Sequence, residues 1–382
     1  MSVESVILDL PEAQFGDAWR GLTDAQRSAI GSRGFERFRA LTKHVDASIA
    51  RAERETKRKG NGADAMPTTK LVTASLPEFL SAEFKPREKL LGPFVTQALI
   101  MAYGPRGIGK TRFLATTAIA AASGGTAFTW QASRPVRTAY LDGEMAGVEL
   151  QDLFASLYVA AGREWDGSTL RIVTPDMQKH GIPDLATLGG QLEVEDAIGD
   201  AELIYIDNLS AWVRGTGEEN TAESWLPVLD FLLRQRSQGR SVVIAHHAGK
   251  SGQQRGTSKR EDILDVVLAL RRPAQYSPQD GAKFEVHFEK ARGLHGEAVA
   301  PFEAQLGTDE HGISVWTTRT IEVATFDHVV TLQRDGLSPS EIARELGINK
   351  SNVSRAIKKA RATGLIPDAT ECTAQRYATR KG

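Results

Sequence analysis

A glycine-rich segment, Gly104-Pro-Arg-Gly-Ile-Gly-Lys-Thr111, has the pattern G-x-x-x-x-G-K-T. An apolar run at 98–103 predicts a strand before it, and residues 112–123 predict a helix after it. In that context backbone N–H groups surround phosphate oxygens, Lys110 neutralises the β- and γ-phosphates, and Thr111 offers a hydroxyl to Mg²⁺. The segment predicts a site for ATP and Mg²⁺. Its predicted nucleotide ligands are Gly104, Gly107, Gly109, Lys110, Thr111 and Arg112.

Carboxylates end two further apolar runs. The run Leu-Ile-Tyr-Ile ends in Asp207, which we expect to hold Mg²⁺ with Thr111. The next residue is Asn208 rather than Glu, so the base that activates water must come from elsewhere. The run Ala-Tyr-Leu ends in Asp142-Gly-Glu144, which places two carboxylates at the edge of a neighbouring strand, beside the phosphates.

These motifs resemble those of the RecA and DnaB-like ATPases, and most closely those of the RepA-type hexameric helicases of plasmids and phages. Members of that group carry the catalytic Glu after the second strand, often as Asp-Gly-Glu-Met, and Asp142-Gly-Glu-Met145 matches that motif. The resemblance implies a RecA-like core, ATP hydrolysis and a homo-oligomer, with a hexamer as the expected assembly. It also implies that Glu144 is the base, with Asp142 as the alternative.

Three further segments extend the resemblance. The run Ser241–His247 matches the strand whose end carries a γ-phosphate sensor, so the resemblance assigns that role to His247. A metal site at His246 and His247 is not favoured, because adjacent strand residues point to opposite faces. The segment Glu289-Lys290-Ala-Arg292 resembles the Lys-x-Arg signature that such hexamers insert into the neighbouring subunit's ATP site.

The third segment, residues 249–260, is polar and glycine-rich and lies where the family places a loop that lines the DNA channel. The resemblance implies that Lys250, Arg255 and Lys259 contact single-stranded DNA. A solvated loop is the alternative interpretation.

Short β-rich runs alternate with helical stretches from about residue 70 to 320, which is typical of βα units on a mostly parallel sheet. The runs lie at 98–103, 138–142, 170–174, 203–207, 241–246, 266–270 and 284–288. Runs that are apolar almost throughout, such as 203–207, indicate strands covered on both faces. The sequence predicts an α/β fold with a RecA-like core.

The C-terminal region predicts a helix-turn-helix. Ser338-Pro-Ser-Glu341 is a capping box with Pro at the first helical position, and Gly347 makes the turn. Asn349 or Ser351 caps a second helix that runs to about Thr363. From residue 331 to the end, ten Lys/Arg stand against five Asp/Glu. The predicted contacts to duplex DNA are Lys350, Asn352, Arg355 and Lys359. A basic protein-binding bundle is the alternative.

Length, composition and charge limit the number of domains, the class of protein and its expected location. The 382 residues predict two to three domains, and 41% hydrophobic with 25% charged residues is typical of a soluble globular protein. The net charge is −1, so nucleic-acid binding must come from local patches, and the single Cys372 excludes an intramolecular disulfide framework. Neither a signal peptide nor an apolar run of membrane-spanning length is present, so we expect a cytoplasmic location without membrane contact.

The expected domains are a helical segment with a charged linker at 1–65, the ATPase core at 66–320 and the DNA reader at 321–382. The expected function is that of a DNA motor, a RepA-like helicase or initiator of a mobile element. The alternative is a nucleotide-switched DNA-binding regulator, or a host-defence ATPase, that does not unwind DNA.

Overall fold

The computed structural model describes residues 72–162, 165–213, 222–247 and 262–367, with side chains throughout except at 222–224. The predictions for residues 1–65, for the loop at 249–260 and for the basic tail after 367 lie outside the described residues. The described chain divides into two compact units after Lys85. In the first unit, helix α1 spans Leu76–Ser81 and begins with a capping box formed by Ser75 and Glu78.

Among the described residues, the second unit contains a nine-stranded sheet. Two small hairpins are formed by β1 Lys89–Leu91 with β2 Phe94–Val95, and by β4 Thr126–Ala127 with β5 Trp130–Gln131. The strands of the large sheet are β3 Leu99–Gly104, β6 Thr138–Asp142, β7 Leu170–Val173, β8 Leu203–Asp207, β9 Ser241–His247, β10 Val266–Arg271, β11 Lys283–Ala291, β12 Phe302–Thr308 and β13 Ser314–Thr320. The order is β13-β12-β11-β10-β3-β9-β8-β6-β7. The strands from β10 to β7 in this order are parallel, and β11 to β13 are antiparallel.

Helices cover both faces of the parallel part. The helices of the second unit are α2 Lys110–Ser123, α3 Gly147–Ala161, α4 Leu188–Ile198, α5 Ala222–Ser237, α6 Ile321–Arg334, α7 Pro339–Glu345 and α8 Lys350–Ala362. Because successive side chains of a strand point to opposite faces, Ile100 packs with α2 and α3 in one core, and Met101 packs with α4 and α5 in the other. Burial on both faces explains why these strands are apolar almost throughout.

The last three helices form a small bundle with its own core of Val329, Ile342, Val353 and Ile357, among others. Gly347 turns the chain between α7 and α8 with φ of +63°. Asn349 caps α8, and the capping box at Ser338 and Glu341 is present.

The predicted RecA-like α/β core with a mostly parallel sheet and a C-terminal helix-turn-helix is confirmed. Two boundaries differ from the prediction by three residues or more. Strand β11 continues to Ala291, because its end pairs with the start of β10. Helix α6 begins at Ile321 rather than near 325, because the Thr320 side chain accepts a hydrogen bond from the Val323 N–H and caps the helix. Among the described residues, no helix is both long and apolar enough to cross a membrane.

Candidate functional site

The phosphate loop connects the end of β3 to the first turn of α2. Gly107 and Gly109 have φ of +70° and +105°, in the left-handed region that favours glycine. Lys110 is buried, and its Nζ donates to the carbonyl oxygens of Gly104 at 3.1 Å and Pro105 at 3.0 Å. Burial lowers the pKa of Lys110, while the negative charge of nearby carboxylates opposes that shift. The loop thus holds an ammonium group at a helix N-terminus, a site suited to phosphate.

Asp207 ends β8 and is buried, with 4% of its surface exposed. Its Oδ2 accepts a hydrogen bond of 2.7 Å from the Tyr140 hydroxyl, and the Thr111 hydroxyl also hydrogen-bonds to it. Burial raises the pKa of Asp207. A carboxylate beside a hydroxyl supplies the oxygen ligands that Mg²⁺ prefers, so Thr111 and Asp207 fit the predicted ion.

Asp142 and Glu144 have different surroundings. Asp142 is 1% exposed, and its oxygens accept hydrogen bonds from the Glu144 N–H at 3.4 Å and the Thr174 hydroxyl at 3.1 Å. Burial raises the pKa of Asp142. A Cβ at Gly143 would lie 2.5 Å from the Ala211 Cβ, so the turn requires glycine there. Asp142 therefore holds the turn, and the Glu144 side chain, 55% exposed, lies at the cleft.

His247 lies beside Glu144, with 3.9 Å between its Nε2 and the Glu144 Oε1. The Asn208 Nδ2 lies 3.1 Å from the same His247 nitrogen. Burial lowers the pKa of His247, and the positive charge of Lys110 lowers it further, so the ring is neutral at pH 7. Within the described ranges, no group of three or more His, Cys, Asp or Glu could hold a metal ion.

These side chains line one cleft of about 1010 Å³. Its walls come from the phosphate loop, from α3 and from the carboxyl ends of β8 and β9, with one residue from β13. The predicted site residues in the lining are Gly107, Gly109, Lys110, Thr111, Arg112, Glu144, Asp207 and His247. Gly104 contributes only through its carbonyl group. Folding thus brings together predicted site residues that are up to 140 positions apart in the chain, from Gly107 to His247.

Lys290 and Arg292 lie at the other edge of the sheet. Strand β11 runs antiparallel to β10, and its last residue, Ala291, pairs with Val266, which pairs in turn with Ile100 near the start of β3. The phosphate loop leaves the opposite end of β3 after Gly104. Ile100 and Gly104 are four strand residues apart, so the end of β11 and the start of the phosphate loop are separated by at least about 13 Å along the strand direction. The structure therefore does not bring Arg292 to the cleft of its own chain.

The Lys290 and Arg292 side chains both contact the chain at Asp262. The Lys290 Nζ donates to the Asp262 carbonyl at 3.3 Å, and the Arg292 Nη2 reaches the same oxygen at 3.5 Å. The Arg292 backbone N–H donates to the carbonyl of buried Asp265 at 2.8 Å. The Arg292 side chain is exposed at this edge.

Helix α8 exposes Lys350, Asn352, Arg355 and Lys359, and the last three share one face because they are spaced by three and four residues. The Arg355 Nη2 donates to the Asn352 Oδ1 at 2.5 Å, and the Lys359 Nζ lies 5.1 Å from the Phe326 ring centroid. The predicted DNA contacts Lys250, Arg255 and Lys259 lie outside the described residues.

Strand β13 connects the cleft to the helix-turn-helix. Its first residue, Ser314, lines the cleft, and the Trp316 Nε1 donates to the Thr116 Oγ1 of α2 at 3.0 Å. Its last residue, Thr320, caps α6. Arg319 forms ion pairs across this junction, at 2.7 Å with Glu303 of β12 and 2.9 Å with Asp327 of α6. A continuous strand thus runs from the nucleotide cleft to the first helix of the reader.

Several residues at the cleft were absent from the sequence predictions, among them Arg106 and Ser314, and Arg272 contacts the phosphate loop. Arg106 lines the cleft from the variable part of the phosphate loop, where a positive charge next to Gly107 was the available signal. The Arg272 Nη2 donates to the Gly107 carbonyl at 3.4 Å, and its guanidinium lies 4.4 Å from the Tyr276 ring centroid. No local signal could have placed Ser314, since its position depends on strand pairing.

Two family models match parts of the chain. Residues 66–253 match a family described as an AAA domain, and residues 325–371 match the MarR family. The chain thus carries an AAA-type P-loop ATPase domain, which implies ATP and Mg²⁺ as cofactors, and a MarR-type, DNA-binding helix-turn-helix. No curated protein sequence matches the chain.

Two solved structures are similar to it at low identity. The flagellar accessory protein FlaH from Methanocaldococcus jannaschii is 11% identical, with a TM-score of 0.40, and the match covers 58% of this chain and 90% of that chain. The KaiC-like protein PH0186 from Pyrococcus horikoshii OT3 is 17% identical, with a TM-score of 0.42, and the match covers 61% and 99%. These likenesses are too distant to carry an argument about function.

Proposed function

We propose that this protein is an ATP-driven DNA motor of the RepA-like helicase or initiator class, which acts as a ring, a hexamer, in the replication of a mobile element. The observation that carries the proposal is the position of Arg292. An exposed arginine at the sheet edge opposite the phosphate loop cannot reach its own cleft, but it can reach the cleft of a neighbour in a head-to-tail ring. In such a ring each ATP site needs Arg292 from a neighbouring subunit, so hydrolysis requires the oligomer.

The cleft residues divide the chemistry between them. Lys110 and the loop N–H groups bind the phosphates, and Thr111 with Asp207 would hold Mg²⁺, which would offset phosphate charge. Glu144 takes the proton of the attacking water, since it is the carboxylate that enters the cleft, whereas Asp142 is buried in the turn. Neutral His247, 3.9 Å from Glu144, senses the γ-phosphate.

Arg292 and Lys290 complete the neighbour's site. A guanidinium that arrives from a second subunit stabilises charge on the transferred phosphoryl group, so hydrolysis depends on assembly. The helix-turn-helix then selects a duplex site through α8, while the motor acts on single-stranded DNA. Recognition of a duplex site by one domain and movement on single-stranded DNA by the other support an initiator role as well as unwinding.

Strand displacement tests this proposal. The full-length protein, given ATP and Mg²⁺, should separate a forked duplex that carries a fluorophore and a quencher, and Glu144→Gln should not. Hydrolysis that DNA stimulates while the strands stay paired would refute the motor and leave an ATPase of another kind.

A second function is favoured by β13. Because one strand runs from Ser314 in the cleft to the cap of α6, nucleotide binding has a direct structural route to the DNA reader. A nucleotide-switched DNA-binding regulator, or a host-defence ATPase, would use this route without unwinding DNA. That function predicts a duplex affinity that changes when ATP replaces ADP, measured by fluorescence anisotropy, together with no strand separation.

A further inference from the structure

We propose that Arg106 binds the γ-phosphate of ATP within its own subunit, as a second phosphate ligand beside Lys110. This inference rests on the proposed ATPase function and adds a residue that the sequence motif leaves free, since position 106 is a variable position of G-x-x-x-x-G-K-T. It gives the cleft a cation in cis at the phosphate that Arg292 approaches in trans.

The position of Arg106 is the first support. Its side chain is exposed on the phosphate loop and lines the same cleft as Lys110, Glu144 and His247. Glu144 and His247, 3.9 Å apart, mark the end of the cleft where water attacks the γ-phosphate.

The lack of a partner is the second support. Within the described ranges, Arg106 forms no hydrogen bond and no ion pair, even though Glu144, Glu149 and Asp152 line the same cleft. By contrast, Arg319 is ion-paired at 2.7 Å. A free guanidinium keeps five N–H donors for a ligand, in a fork that fits phosphate oxygens.

Electrostatics gives the third support. Arg106 and Lys110 place two positive charges on one wall of the cleft, and their repulsion is relieved when a polyanion binds between them. Lys110 sits at the start of α2, where the β- and γ-phosphates are expected, and Arg106 lines the cleft together with His247 and Glu144, which we place at the terminal phosphate. A ligand of the γ-phosphate alone discriminates ATP from ADP.

The test is calorimetric titration of the full chain with ADP and with a non-hydrolysable ATP analogue, both with Mg²⁺. Arg106→Ala should weaken analogue binding by about tenfold or more, as expected for a lost charge-assisted hydrogen bond, and leave ADP affinity within about twofold. Arg106→Lys should lie between, because an ammonium cannot form the paired contact. Arg236→Ala, which removes one positive charge from α5 outside the cleft, should match the unmodified protein.

The titrations are repeated with Arg292→Ala present, so that the proposed contact of Arg292 from a neighbouring subunit is absent from both arms. The discrimination by Arg106 should persist there. Equal losses for ADP and the analogue would place Arg106 on the inner phosphates and overturn the proposal, as would unchanged affinities. If the unmodified protein bound neither nucleotide, the proposed ATPase function itself would fail.

Discussion

Mixing two inactive variants offers the sharpest test of the ring. Arg292→Ala removes the cation at the far edge of the sheet and leaves the cleft of the same chain intact, whereas Lys110→Ala disables the cleft and leaves the far edge intact. Arg292 lies at least about 13 Å of strand away from its own phosphate loop, so each variant damages a different side of a subunit interface. Arg292→Ala alone should bind ATP normally but hydrolyse it more slowly, on the order of a thousandfold.

The ATP turnover expected in the mixture follows from which subunit supplies each part of a site. An active interface needs an intact phosphate loop from one subunit and an intact Arg292 from the next. In rings assembled at random from equal amounts, about one interface in four has both, whatever the number of subunits. ATP turnover in the mixture should therefore approach a quarter of the unmodified rate if the sites act independently.

The assay is steady-state phosphate release after the variants are mixed, with subunit exchange followed by fluorescence energy transfer between labelled chains. Arg292→Lys serves as the graded variant, because it keeps the charge and loses the guanidinium fork. Full turnover by Arg292→Ala alone would refute the assignment. No recovery despite measured exchange would mean either that Arg292 acts within its own subunit or that every site in the ring must function.

Five substitutions probe the cleft and the helix-turn-helix. Lys110→Ala should abolish nucleotide binding measured by calorimetry, whereas Glu144→Gln should keep binding and slow hydrolysis by about 10²–10⁴-fold, because only the base is lost. Asp207→Asn should raise the Tm of the nucleotide-free protein and abolish Mg²⁺-dependent turnover. Burial raises the pKa of Asp207, so the ionised carboxylate destabilises the fold at pH 7, and an amide removes that cost. Arg355→Ala and Lys359→Ala should each weaken duplex binding and flatten its salt dependence by about one counterion.

Each of these predictions has a distinct contrary outcome. Near-normal turnover by Glu144→Gln would transfer the base to Asp142 or another group. An unchanged or lower Tm for Asp207→Asn would mean that its bonds to Tyr140 and Thr111 outweigh the burial of its charge. Unchanged DNA affinity in both α8 variants would favour a protein-binding role for the bundle. The Tm of Lys359→Ala is also needed, because Lys359 lies over Phe326.

The elements of the fold were predictable because their signals are local. The G-x-x-x-x-G-K-T segment requires a strand before it and a helix after it, and both are present as β3 and α2. The capping box at Ser338 and Glu341 fixes the start of α7 through two hydrogen bonds within four residues. The strand 203–207 was predicted to be covered on both faces, because a strand between two helical layers carries mostly apolar side chains.

The arrangement of the site depended on tertiary structure. Asp142 and Glu144 are two residues apart and chemically alike, and only their burial distinguishes a carboxylate that holds a turn from one that enters the cleft. Ser314 reaches the cleft, and Arg292 is kept out of it, because of strand order and register, which pair residues far apart in the chain. The sequence by itself determined which chemical groups are present and the local elements that carry them, because capping, turn formation and strand burial depend on near neighbours. The edge of the sheet on which Ser314 and Arg292 lie was decided only by long-range pairing, which no short stretch of sequence encodes.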